Sequence, residues 1–315
     1  MQMRFFCYLI IQITFVLCFS SESALTGEVE PPPVAKELCV VSDGRIKESS
    51  GIALSRRQPD AVWIHNDSGD AARLFLVGLD GKTRGVVRLR GDWPVDWEDM
   101  CAFVASGTSW LLVGDIGDNA RNRSLATSKG RSKACRLLLF PEPEMMNTTE
   151  LEADAPTVIQ FEYEDGPHNC ESVAVDTERN EILLVSKSKS GSSDVTGVYC
   201  IPLTLNKGTT TATARRIANL EIIMATAMDI SPDGRRMAIL SPDGAFCVDR
   251  RENETWGDAL KSKPRIVPLP KRRNGETVCF GRDRNELLLH SESVGQPLWS
   301  VTISDIAAGS LSTSP

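Results

Sequence analysis

The chain has 315 residues, of which 41% are hydrophobic and 24% charged, and its formal net charge is −7. This composition supplies a sizeable core and excludes wholesale disorder, and the length fits one large domain or two ordinary ones. An acidic chain lacks the clustered Lys and Arg that hold a phosphate backbone, so we expect no nucleic-acid partner.

The N-terminus predicts export. Arg4 precedes an apolar run over residues 5–19, which is too short for a typical membrane span, and small residues follow it. We therefore predict a signal peptide at 1–23 and a secreted or periplasmic protein with no membrane span after cleavage; an uncleaved anchor is the alternative. Residues 24–36 contain three consecutive prolines and are predicted to form an extended linker.

Residues 37–305 predict an all-β domain, because short β-rich runs alternate with Gly, Asp, Asn and Pro and no long amphipathic pattern occurs. A five-fold internal repeat is present, and its units start at Ser50, Glu98, Glu171, Thr226 and Glu276. The spacings of 48, 73, 55 and 50 residues are close to those of four-stranded propeller blades, with an insertion in the second unit.

The last unit ends after its third strand, whereas residues 38–41 form an otherwise unassigned strand near the start. We predict that this N-terminal strand completes the last blade and closes the ring, which protects strand edges. The expected fold is a single β-propeller of five four-stranded blades at 37–305, followed by a disordered tail at 306–315.

Carboxylates are predicted to converge at the central channel. The first strand of each blade lines it, so the residues that open the repeats meet near the axis, and three of the five are glutamates. Calcium suits oxygen ligands drawn from several strands. The alternative is a solvated channel in which carboxylates accept backbone N–H bonds from neighbouring blades.

A duplicated D-x-G-D follows the second strand of the first two units, at Asp67 to Asp70 and Asp115 to Asp118. The equivalent positions favour cation coordination, although tight turns use the same residues. The candidate calcium ligands are Glu98, Asp99, Asp115, Asp118, Glu171, Asp67 and Asp70.

An insertion after the second D-x-G-D is rich in basic residues that could clamp an anionic substrate, although a solvated loop without a role is the alternative. Histidines at strand ends could bind substrate or act as general bases, but structural roles are common for them. The candidate substrate-binding residues are Glu48, Arg121, Arg123, His65, His168 and Glu276.

The stretch S-P-D-G-R-R-M-A at 231–238 resembles a hairpin of TolB-like bacterial β-propellers. The set E-S-S-G-I-A, W-I-H-N-D-S-G-D, D-W-E-D, G-D-I-G-D-N and H-N-C-E-S is similar to a group of secreted bacterial propellers loosely related to phytase-like esterases. The resemblance covers most of residues 45–300 and implies that the residues to test are Glu48, Glu98, Asp99, Asp115, Asp118 and Glu171. Such relatives are often counted as six-bladed, whereas five repeats are counted here.

Two functions follow as hypotheses. The first is an exported propeller, expected to be monomeric, that binds a small molecule or an envelope protein at its acidic channel mouth, with a calcium ion. The second is a calcium-dependent hydrolase of phosphoester or ester substrates. The first is favoured because no nucleophile and base pair is evident and the serine-hydrolase, Walker A and zincin motifs are absent from the sequence. Whether the protein is an enzyme stays open at this point.

Overall fold

The structure, a computed structural model, describes residues 33–91, 94–126, 134–145, 149–189, 191 and 194–303. The predicted signal peptide, all but the last four residues of the predicted linker, and the predicted tail lie outside this part of the chain. Within the described residues, no helix has the length and apolar character needed to cross a membrane. All seven cysteines in this part of the chain are free.

Five four-stranded antiparallel blades make up the fold. Blade one contains β2 (Ser49–Leu54), β3 (Ala61–Asn66), β4 (Arg73–Gly78) and β5 (Thr83–Leu89). Blade two contains β6 (Trp97–Ala105), β7 (Thr108–Asp115), β8 (Cys135–Pro141) and β10 (Thr157–Tyr163). Blade three contains β11 (Cys170–Asp176), β12 (Glu181–Ser186), β13 (Thr196–Pro202) and β14 (Thr209–Leu220). Blade four contains β15 (Ala227–Ile230), β16 (Arg236–Ser241), β17 (Gly244–Asp249) and β18 (Arg265–Val267), with the short helix α1 (Trp256–Ala259) before β18.

Blade five contains β19 (Thr277–Phe280), β20 (Glu286–His290), β21 (Pro297–Thr302) and, as its outer strand, β1 (Val34–Val40). β1 pairs antiparallel with β21, so the N-terminal strand completes the last blade as predicted. The inner strands β2, β6, β11, β15 and β19 contact one another in that order, and β19 contacts β2. The all-β propeller prediction and its closure by the N-terminal strand are therefore confirmed.

Two backbone pairings tie neighbouring blades together. β9 (Glu150–Ala153) lies between β8 and β10 of blade two in the sequence, but it pairs parallel with β5 of blade one. The first half of β14 pairs parallel with β10 of blade two, and the second half pairs antiparallel with β13 of blade three. Blades two and three consequently share one continuous eight-stranded sheet.

The core lies between the blades. All six residues of β3 are buried, because both faces of a blade are covered by its neighbours, and this explains why its sequence does not alternate regularly between apolar and polar residues. Trp63 and Trp97 fill the space between blades one and two, and Trp256 packs in the cluster shared by blades three and four. The fold thus holds together by face-to-face packing of sheets around a ring.

Asp99 joins three blades at the channel. Its Oδ2 accepts the backbone N–H groups of Val173 in blade three and Met228 in blade four, each at 2.9 Å. Inner strands have one edge without a partner strand, and these N–H groups belong to that edge. Burial raises the pKa of Asp99, and the backbone donors act in the opposite direction. This is the structural role that the sequence left open as the alternative to metal binding.

We predict that Asp99→Ala lowers the free energy of unfolding by about 2–4 kcal/mol, because the N–H groups of Val173 and Met228 each lose their acceptor. Urea denaturation measures the change. The control is Asp60→Ala, since Asp60 is an exposed carboxylate that pairs with Arg84, and its loss should change stability by about 0.5 kcal/mol or less. Equal effects of the two substitutions would show that Asp99 does not link the blades.

Candidate metal and ligand site at the channel mouth

Three carboxylates meet at the rim where the inner strands begin, which we call the channel mouth. One oxygen each from Asp67, Asp96 and Glu98 lies within 4.8 Å of the other two. We call these three residues the carboxylate cluster. Asp67 follows β3, Asp96 directly precedes β6, and Glu98 lies on β6, so the cluster joins blades one and two.

The local backbone fixes the cluster. The N–H of Asp67 donates to the carbonyl of Glu48 at 2.7 Å, and the N–H of Asp96 donates to Oδ1 of Asp115 at 3.0 Å. Because Trp97 pairs with Asp115 across β6 and β7, the D-W-E-D and G-D-I-G-D-N stretches are neighbours in space.

Gly117 makes room for two of the three carboxylates. A Cβ placed on Gly117 would overlap Oδ2 of Asp96 and Oε1 of Glu98. The requirement is steric, because an added Cβ would force both carboxylates to move from these positions. The second D-x-G-D motif thereby contributes to the cluster through its glycine.

The cluster is electrostatically strained. Burial raises the pKa of Glu98 well above its usual range, and Glu171 and Asp67 add repulsion. Burial also raises the pKa of Asp96 to about 6, with further repulsion from Asp67. The pKa of Asp67 is raised as well, first by burial and then by Glu48. Ionised carboxylates at these positions therefore call for a neutralising cation or proton.

Further charges extend the mouth to blades three and five. Lys187 donates to a carboxylate oxygen of Glu171, and its pKa is raised because the attraction of Glu171 outweighs burial. Burial raises the pKa of Glu276 to about 7, with repulsion from Glu171 and Glu292. The mouth is thus strongly acidic, with Lys187 placed between Glu171, Glu276 and Glu98.

Hard divalent cations suit this arrangement. Carboxylate oxygens drawn from two blades, with a hydroxyl nearby, are ligands that calcium takes in variable geometry. The hydroxyl of Ser50 in blade one lies 3.4 Å from Oε2 of Glu98. The residues present therefore fit a calcium ion on their donor chemistry.

Other predicted metal ligands have protein partners. Asp115 is fully buried and forms ion pairs with Arg123 and Arg136. Asp118 accepts the N–H groups of Asn122 and Arg123, each at 2.9 Å, as turn residues do.

Asp70 pairs with Arg73 and accepts the amide of Asn66 at 2.6 Å. With Asp99 inside the channel, these contacts leave Asp67, Glu98 and Glu171 as the predicted ligands that the structure brings together at the mouth. Ion pairs hold Asp70 and Asp115, and backbone hydrogen bonds within the turn hold Asp118.

The predicted substrate-binding residues do not form one site. Glu48 and Glu276 act electrostatically on the mouth, whereas Arg121 and His168 line an adjacent cleft. The guanidinium of Arg123 is buried between Asp115 and the carbonyls of Gly117 and Ala134, so it stabilises the loop instead of facing a ligand.

His65 is fully buried on β3 and packs edge-to-face on Trp97, with ring centroids 5.3 Å apart. Burial lowers its pKa to about 4. His65 occupies the space above Gly51, where a Cβ would overlap its ring. It is a core residue between blades one and two and does not reach the mouth as a base.

Four residues at or near the mouth were not predicted from the sequence as site residues: Asp96, Gly117, Lys187 and Glu292. A signal for Asp96 exists, because residues two apart in an extended segment face the same side and Asp96 is two before Glu98. Lys187 follows the second strand of blade three at the position where Asp67 follows that of blade one. Its place in the repeat was therefore available as a signal.

The comparisons with known proteins do not assign a family to the chain. No family model matches the chain, and no curated protein matches it. Among solved structures, the WD40 domain of Pan2 from Neurospora crassa is similar, with 10% identity and a TM-score of 0.39, over 86% of this chain and 96% of that one. The five blades and their ring closure define the protein as a β-propeller.

We predict that Glu276 makes the wild type lose stability as pH rises from 5 to 8. Its pKa is 4.5 in the absence of the fold and about 7 in it, so between these values the folded state binds more protons and stability falls with rising pH. Relative to Glu276→Gln, the wild type should lose about 1–2 kcal/mol over this range, after allowance for solvent screening.

Urea denaturation of both proteins at pH 5 and pH 8 tests this. His65 and His290, with pKa values of about 4, act in the opposite direction below pH 6.5, but both proteins contain them and their contribution cancels in the difference. A difference between the two proteins that stays constant with pH would contradict the role of Glu276.

Proposed function

We propose that the protein is an exported β-propeller that binds a ligand or partner at its acidic mouth with the help of a calcium ion. The observation that carries the proposal is the carboxylate cluster, in which three oxygens lie within 4.8 Å of one another. A bound divalent cation would replace mutual repulsion with attraction and would present an open coordination face to the channel.

Calcium is favoured over magnesium. Magnesium demands near-ideal octahedral geometry and retains several waters, whereas calcium accepts six to eight oxygens in irregular arrangements. Here the ligands come from a turn, a loop and a strand in two blades, and the channel supplies water for the remaining positions. A ligand with oxygen donors would complete the coordination of the ion.

Export is supported by the N-terminal sequence, which lies outside the described residues. The grouping with secreted TolB-like propellers is supported by the S-P-D-G stretch, which forms the turn between β15 and β16. In that turn Ser231 Oγ donates to Asp233 at 2.6 Å, and Gly234 adopts a φ of +69°. We propose an envelope protein or an extracellular small molecule as the ligand, and a monomer as the active form.

The hydrolase alternative receives less support. Arg123, one of the predicted anion-binding residues, is committed to Asp115 within the loop and does not face the mouth. No arrangement of a nucleophile beside a base is found among the residues that form the mouth. Hydrolysis of phosphoester or ester substrates therefore stays a second hypothesis.

We predict that calcium raises the melting temperature of the wild type and that Glu98→Gln abolishes most of this rise. Calcium at about 100 times its dissociation constant stabilises by about 2.7 kcal/mol, which is several degrees for a domain of this size. Without calcium, Glu98→Gln should melt at or above the wild-type temperature, because the substitution relieves repulsion from Glu171 and Asp67.

The experiment is a thermal melt in EDTA and across a calcium titration at pH 8, because calcium binds the deprotonated carboxyls and their pKa values are raised. Asp60→Asn is the matched control, since Asp60 is an exposed carboxylate of blade one that pairs with Arg84 at 2.9 Å. A calcium-dependent rise in melting temperature of the same size in Glu98→Gln, or no rise in the wild type, would contradict the proposed metal site.

Gly117→Ala provides an independent prediction that leaves every carboxylate in place. The added Cβ displaces Asp96 and Glu98 from their present positions, so the calcium-dependent rise in melting temperature should fall to less than half. Gly44→Ala is the matched control, because Gly44, like Gly117, does not have a left-handed φ, and no atom lies near its Cβ. A full calcium response in Gly117→Ala would show that the cluster does not hold the ion.

A further inference from the structure

A cleft of about 230 Å³ lies in blade three beside the acidic mouth. Its lining comes from Arg121 after the second D-x-G-D, from His168 before β11, from the end of β12 and from the two residues just before β13. We call it the His168 cleft. Its polar lining includes Arg121, His168, Ser186, Lys187, Ser188 and Arg216.

The charge of this lining is opposite to that of the mouth. Arg121, Lys187 and Arg216 supply three permanent cations, and Asp194 is the carboxylate among the lining residues. A concave surface lined mainly by one sign of charge concentrates ligands of the other sign. The cations of the cleft can therefore attract an anion, although the mouth beside it is acidic.

Two of the three cations are held in position by carboxylates outside the lining. Glu171 pairs with Lys187 from the channel side, and Asp165 pairs with Arg216 at 2.6 Å. Arg121 pairs with Asp194 across the cleft, and both side chains are more than a third exposed. The two inner cations are thus oriented, and the outer one can exchange its exposed partner for a ligand at little cost.

His168 is also fixed in orientation. Its Nε2 lies 2.9 Å from Oδ1 of Asp165 and 2.8 Å from the hydroxyl of Tyr199. Its ring packs edge-to-face against Tyr163 at 5.1 Å. An imidazole anchored through Nε2 keeps its other nitrogen available as a hydrogen-bond donor or acceptor for a ligand.

We propose that the His168 cleft binds an oxyanion, a carboxylate or phosphate group, of the same ligand that approaches the calcium site. Lys187 connects the two, because it lines the cleft and its charge also acts on Glu98 and Asp67 at the mouth. Guanidinium and ammonium groups recognise both kinds of oxyanion by charge-assisted hydrogen bonds. This inference rests on the proposed function, since it names the chemical class of the ligand.

The first test is calorimetric titration of the full chain with inorganic phosphate and, separately, with malonate, both in EDTA. We expect saturable binding of at least one probe, and a dissociation constant about tenfold weaker in Arg121→Gln and in Lys187→Gln, because each loses one charge-assisted contact. Tighter binding of phosphate would identify a phosphoryl ligand, and tighter binding of malonate a carboxylate.

Arg90→Gln is the matched control, because Arg90 makes an exposed ion pair with Glu152 on blade one and should leave binding unchanged. Arg121→Gln alters an exposed side chain, so it tests the cleft even if Lys187→Gln fails to fold. Absence of saturable binding of both probes, or equal binding by wild type and Arg121→Gln, would overturn the proposal.

A second readout uses the histidines. The chain contains three, and His65 and His290 are buried, so the imidazole proton resonances that move during an oxyanion titration should be those of His168. Unmoved His168 resonances at saturation would also overturn the proposal. Because these titrations are done in EDTA, their failure is distinguishable from failure of the calcium site, which is measured without phosphate or malonate.

Discussion

Closure of the ring is the constraint on which the rest of the structure depends. When β1 pairs with β21, five inner strands are forced to run side by side and to begin at one rim. Residues far apart in sequence, such as Asp67 and Glu276, are thereby brought around one mouth. A protein that gathers like charges in this way gives up stability at that point, and packing between the blades offsets the cost.

Two kinds of buried carboxylate follow from this geometry. Asp99 reaches across the channel and accepts N–H groups from strand edges, so its charge is distributed over hydrogen bonds within the protein. Glu98 is directed to the mouth, where its neighbours are other carboxylates and a hydroxyl at 3.4 Å. Adjacent residues of one strand thus have separate tasks, and both lie where the pairing of β6 with β7 shifts register between Trp97 and Met100.

The fold was largely predictable from the sequence. The repeat of β-rich units predicted the blades, and the unassigned N-terminal strand predicted the pairing of β1 with β21 that closes the ring. The site was predictable only in part. Acidic residues at repeat starts identified Glu98 and Glu171, but sequence does not show which carboxylates find arginines in space. Asp115 meets Arg136 through strand pairing, and Arg123 returns to it from a loop, so both contacts depend on the folded chain. The role of Gly117 could not be predicted, because it consists of leaving space for the carboxylates of Asp96 and Glu98.

The two strands that cross between blades give the ring an uneven stiffness. β9 ties blade two to blade one, and β14 ties blade two to blade three, both by main-chain hydrogen bonds. Within the described strands, no such ladder joins blade four to its neighbours or blade five to blade one. Local opening of the ring should therefore begin around blades four and five. The pairing of blades one and two, which carry the carboxylate cluster, would persist during such openings, so ligand exchange at the cluster does not require this part of the ring to open.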